Sequence, residues 1–206
     1  MSDGVIDIFD SAGIKKPDIS ILSEVFLEEI KGLQHKNLAL ELLRKILNDE
    51  IKVRSKYNVI QRRKLSEMLE NAIKKYQNKL LTAVEIINEV IEIAKEVREA
   101  EKRGEKLNLT NDEVAFYDAL LENPTAKAIM QEESLREMAR LLVGRVRKNA
   151  SIDWTLKENV RSRLRVIVKR ILREYGYPPD DPLTKEYTVS VDRILEQAET
   201  FAGEWR

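Results

Sequence analysis

Cysteine is absent from the 206 residues, so neither a disulfide framework nor a thiolate metal site is possible, and the chain suits a reducing cytoplasm. The single histidine, His35, lies near an expected helix start, where a structural or merely exposed role outweighs catalysis. No serine sits in a Gly-x-Ser-x-Gly context, which leaves little for nucleophilic chemistry. No Gly-x-x-x-x-Gly-Lys-Ser/Thr loop marks a phosphate cradle. No apolar run approaches the roughly 20 residues that span a bilayer, and Met1-Ser2-Asp3-Gly4 lacks a basic leader region. The expectation is a soluble, cytoplasmic protein with no membrane partner. Net charge is also missing, since 36 basic residues balance 36 acidic ones. Glycine (7) and proline (5) are scarce, so long stretches carry no helix breaker.

What remains is helical periodicity and sorted charge. Apolar content of 43% with 35% charged residues describes a globular chain long enough for a real core. Apolar residues recur at three-and-four spacing almost throughout, and no period-two alternation survives inspection. The pattern predicts helices over 19–31, stopped by Gly32 as a left-handed cap, then 36–55, 62–77 and 82–102. Thr110-Asn111-Asp112-Glu113 is a capping box opening a helix that contains Phe116 and Leu120 on one face, Tyr117 and Leu121 on the next. A short helix at Pro124 and longer ones over 133–148, 155–175 and 185–202 follow, with Gly176 and Pro178-Pro179 ending the penultimate one. The expected fold is all-α, an irregular bundle of about eight helices. It divides into an irregular lead-in (1–17) and two helical lobes (18–103 and 104–206).

The zero net charge conceals blocks. Residues 1–30 are acidic, 44–64 basic, 85–101 acidic and 145–173 strongly basic, with only Asp153 and Glu158 opposing the last. Such blocks either map to separate faces or pair with each other inside the molecule. Within 155–175, Val160, Leu164, Ile167, Val168, Ile171, Leu172 and Tyr175 gather on one side of a helix. Arg161, Arg165, Lys169 and Arg173 step around the other, with Arg163 and Arg170 further round. Such a strip can track phosphates and gain affinity by counterion release. Duplex DNA, an acidic protein surface and an ordinary solvated face all remain open. The second block, Arg54, Lys56, Arg62, Arg63 and Lys64 around Asn58, could extend the surface. Trp154 and Tyr177 either stack on a base or cap a helical core.

Two features invite metal chemistry and fail on spacing. Pro17-Asp18 with Glu29-Ile30-Lys31 matches a metal-dependent nuclease signature, but that chemistry needs adjacent strands. On a helix Glu29 and Lys31 diverge by about 200°. Glu85, Glu89, Glu92, Glu96 and Glu99 recur at helical spacing without a Glu-x-x-His element, so a solvated face or a dock for a basic partner is expected. The chain alone is expected to be non-catalytic.

Several long ordered blocks resemble one family. They are Ser2–Phe9, Pro17–Ser23, Lys36–Leu43, Asn48–Ser55, Glu113–Leu120 and above all 146–180, with Ile152-Asp153-Trp154-Thr155 and Tyr175-Gly176-Tyr177-Pro178-Pro179. Over nearly its full length the chain resembles the C-terminal helical region of the restriction (motor) subunit of type I restriction-modification enzymes. The resemblance implies a piece of a longer protein, with a helicase lobe ahead of the lead-in. It also implies a module that docks the motor to the modification subunit and guides duplex DNA. No catalytic residue carries over, and the ATP and Mg²⁺ of the whole enzyme have no counterpart motif here.

Overall fold

The computed structural model describes residues 22–149, 158–178 and 185–204. Among the described residues the regular elements are ten α-helices and no strand. They form two compact units, the first spanning 1–56 and 62–102, the second 57–61 and 103–206. Each has its own cluster of buried apolar side chains.

The first unit contains α1 (Glu24–Gly32), α2 (Lys36–Arg54), most of α3 (Val59–Gln77) and α4 (Ala83–Glu101). Ser23 caps α1 by accepting from the Phe26 N–H. The Gly32 expectation needs correcting: Gly32 is the last helical residue, and Leu33 follows as the cap, its N–H donating to the Ile30 carbonyl. Helices α2 and α4 make the main packing, with α1 laid across both. Leu42, Leu43, Ile46 and Leu47 of α2 meet Ile86, Ile87, Val90, Ala94 and Val97 of α4 in one core. Leu65, Leu69, Ala72 and Ile73 of α3 belong to it too. A Thr-x-x-Glu box opens α4, with Thr82 and Glu85 each closing the other's backbone N–H.

The second unit contains α5 (Arg103–Leu107), α6 (Asn111–Leu121), α7 (Pro124–Ile129), α8 (Glu132–Asn149), α9 (Glu158–Glu174) and α10 (Lys185–Glu204). The expected box at Thr110 and Glu113 is present. Val114 through Leu120 are all buried, so α6 is not two-faced but central. It is enclosed by α8, α10 and its short neighbours α5 and α7. Phe116 stacks on Phe201, and Phe201 on Tyr57, each at 5.8 Å between ring centres. A buried polar set fixes the turn ahead of α3: Asn58 donates to Asp118 at 2.7 Å, and Asp118 takes both guanidinium ends of Arg103 at 2.6 and 3.0 Å. Gln197 closes it, accepting from the Val59 N–H and donating to the Tyr57 carbonyl. Every one of these groups is satisfied, as burial requires.

Candidate polyanion-binding face

Helix α9 packs against α8 and α10. Leu164, Val168, Ile171 and Leu172 are buried, and Ile167 and Tyr175 are partly buried against the same core. Each buried aliphatic contributes about 1.5–3 kcal/mol, several times what an exposed ion pair supplies, so apolar burial sets the helix's rotation. Its C-terminus is fixed by a left-handed Gly176 (φ 64°), with Gly176 N–H on the Arg173 carbonyl and Tyr177 N–H on the Leu172 carbonyl. Tyr177 is itself buried, its hydroxyl donating to the Leu120 carbonyl at 2.7 Å. Of the two readings of that residue, the structure supports the core cap; base stacking by Tyr177 is ruled out. Trp154 and residues 155–157 of the expected helix lie outside the described residues.

That rotation leaves Arg163, Arg165, Lys169, Arg170 and Arg173 exposed. Arg165 meets Asp192 of α10 at 3.1 Å, and Arg170 meets Glu174 at 3.6 Å, both pairs more than half exposed. Arg163, Lys169 and Arg173 meet no carboxylate among the described residues. The backbone of Arg161 lies on α9, while its side chain is outside the described part. Val166 stands among these cations with 67% of its surface in water.

The second basic block lies on the first unit and is less uniform. Arg54 is held between the carboxylates of Glu50 and Glu101 with only 19% of its side chain exposed. It is a structural cation. Arg62 and Arg63 are half-buried, and Lys56 and Lys64 are exposed. Asn58, between them, is buried. On α8 three cations serve the fold, a use the spacing did not reveal. Arg136 donates to the Leu107 carbonyl, Arg140 to the Asn108 carbonyl, and Arg147 meets Asp112 at 2.6 Å. Burial pushes the Asp112 carboxyl above its ordinary range, against the pull of Arg147. These partners sit 29 to 35 residues away in sequence, beyond the reach of any local pattern.

No cluster of three or more His, Asp or Glu side chains able to hold a metal occurs among the described residues. Glu29 and Lys31 are both exposed on α1, and Lys31 lies 3.9 Å from Glu28 instead. Pro17 and Asp18 are outside the described residues. His35 is exposed ahead of α2, and its side chain makes no capping hydrogen bond. The glutamates of α4 are mostly engaged: Glu85 in its box, Glu89 with Lys75, Glu92 with Lys95 and Glu99 with Lys102. No described helix is long and apolar enough to cross a membrane.

Comparison with known proteins gives this helical chain its context. A family model described as the C-terminal part of type I restriction enzyme HindI endonuclease subunit-like proteins matches residues 1–204. The chain is 39% identical over 201 residues to the type I restriction enzyme HindI endonuclease subunit of Haemophilus influenzae, covering 98% of the chain and 19% of that protein. It is 38% identical over 175 residues to a putative type I restriction enzyme MjaIXP endonuclease subunit of Methanocaldococcus jannaschii, covering 84% of the chain and 16% of that relative. It therefore spans about a fifth of the length of these curated relatives. No solved structure matches it significantly.

Proposed function

The chain belongs to the C-terminal family of HindI-like type I restriction endonuclease subunits, and from that premise we propose that it is a helical assembly region that docks the subunit's motor onto the modification core and guides duplex DNA. The observation that carries the DNA part is the exposed side of α9, where Arg163, Lys169 and Arg173 have no carboxylate among the described residues. Arginine presents a planar fork suited to phosphate oxygens, and contacts of this kind position a duplex without reading its sequence. Arg165 and Arg170 join through pairs too exposed to compete strongly with a polyanion. Of the second block, Lys56, Arg62, Arg63 and Lys64 are the candidates left once Arg54 is assigned to the fold. The region performs no chemistry on this reading; ATP and Mg²⁺ act elsewhere in the longer protein.

Salt titration tests the proposal. The full chain should bind a fluorescent duplex, and affinity should fall on the order of 10²-fold between roughly 50 and 200 mM salt if three to five phosphates are neutralised. The triple variant R163E/K169E/R173E should lose that binding with its far-ultraviolet circular dichroism intact. An unchanged slope in the variant overturns the DNA role. Val166, an exposed aliphatic ringed by cations, favours a second reading in which α9 meets an acidic protein surface with an apolar centre. In that scaffold reading there is no direct DNA contact. Retention of the modification subunit, with no duplex bound at low salt, selects it.

A further inference from the structure

Within the first unit, α3 and α4 leave an open groove of about 570 Å³. Met68, Leu80 and Ile93 supply its apolar part. Leu80 is 71% exposed and Val84, on the first turn of α4, is 53% exposed, so neither side chain is explained by the core. The α3 wall carries Asn71, Lys74 and Lys75, with Asn78 just past its end; the α4 wall carries Glu89, Glu92 and Glu96. Steps of three and four residues line those glutamates along one side of α4. Lys75 crosses to Glu89 at 2.7 Å and neutralises it. Glu92 has only Lys95 of its own helix, and Glu96 meets no cation among the described residues. The uncompensated charge along this wall is therefore negative, beside exposed aliphatic surface.

We propose that this groove binds a basic amphipathic helix of a partner polypeptide. Its apolar seam would cover Leu80 and the accessible part of Met68, over the buried Ile93, and a Lys/Arg flank would run along Glu92 and Glu96. A groove between two helices with acids at helical spacing matches a third helix in length scale and periodicity. Nucleic acid is repelled by the glutamate wall, and an acidic helix would meet only Lys74 and Lys75, which already stand beside Glu70 at 4.0 Å and Glu89 at 2.7 Å. The inference rests on the reading of the chain as an assembly region but uses none of the α9 residues.

The test uses the full chain and a synthetic helix of about 18 residues with a leucine seam and lysine flanks. Fluorescence anisotropy compares it with two controls, one with glutamate replacing the lysines and one with the leucines scrambled. The lysine-flanked peptide should bind at least about tenfold more tightly than either control. E92K/E96K should reverse the preference toward the glutamate-flanked peptide, and Leu80→Asp should weaken both. These positions are exposed, so circular dichroism should stay unchanged. Equal binding of all three peptides, or an unaltered preference in E92K/E96K, overturns the proposal. Because R163E/K169E/R173E leaves the groove intact, its peptide binding reports on the groove whatever becomes of DNA binding.

Discussion

Lys79 and Asn108 each close a helix in the left-handed region, at φ 58° and 53°. Both use the same pair of bonds: at Lys79 its own N–H reaches the Tyr76 carbonyl and the Leu80 N–H reaches the Lys75 carbonyl. Asparagine tolerates that conformation, whereas lysine brings a Cβ close to a carbonyl oxygen. Lys79→Gly should therefore stabilise the chain by about 1 kcal/mol, measured by urea unfolding. Gly104 shows the opposite constraint, since a Cβ there would sit 2.8 Å from the Leu109 carbonyl oxygen. Glu85 gives a pH-dependent case. The Thr82 backbone N–H, and then its hydroxyl, hold the carboxyl below the ordinary value of 4.5. Because the folded pKa is the lower one, this contribution is present above the ordinary value and lost as pH falls through the folded one. Protection of the amides at the first turn of α4, taken relative to free peptide at the same pH, should fall on acidification through that range, and Glu85→Gln should remove the dependence.

At the scale of elements, the apolar period located most of the long helices within three residues. The exception, α1, starts at Glu24 rather than 19 because Ser23 caps it. Helix α3 starts at Val59 rather than 62 because the Asn58 side chain accepts from the Gln61 N–H at its first turn. Cap chemistry could have indicated that. The enclosure of α6 was not legible, because burial on all sides depends on which helices surround it. Tyr177 shows the same limit: beside a basic helix an aromatic reads equally as a stacking platform or a cap, and only the Leu120 carbonyl decides. The cationic side of α9 was legible, because its alternation with buried aliphatics is local. The engagement of Arg165 by Asp192 was not, lying 27 residues away. Asp192→Asn should release Arg165, tighten duplex binding a few-fold and steepen the logarithmic salt slope by about 0.9. A shallower slope on filter binding would count against the phosphate-tracking role.

For the molecule as a whole, a formal charge of zero means that attraction to a polyanion depends on where charges stand. Exchanging Lys169 and Glu105 (K169E with E105K) keeps the total at zero and leaves both positions exposed. Duplex affinity should nevertheless fall several-fold at low salt, as measured by anisotropy. An unaffected affinity would assign binding to cations other than Lys169 of α9. The interleaving of buried and cationic positions between Leu164 and Leu172 also bears on how such a gene can change. One inserted or deleted codon there would turn everything beyond it by about 100°, carrying arginine toward the core and leucine into water. Substitution among polar residues is cheap on this stretch, but its reading length is not free to drift.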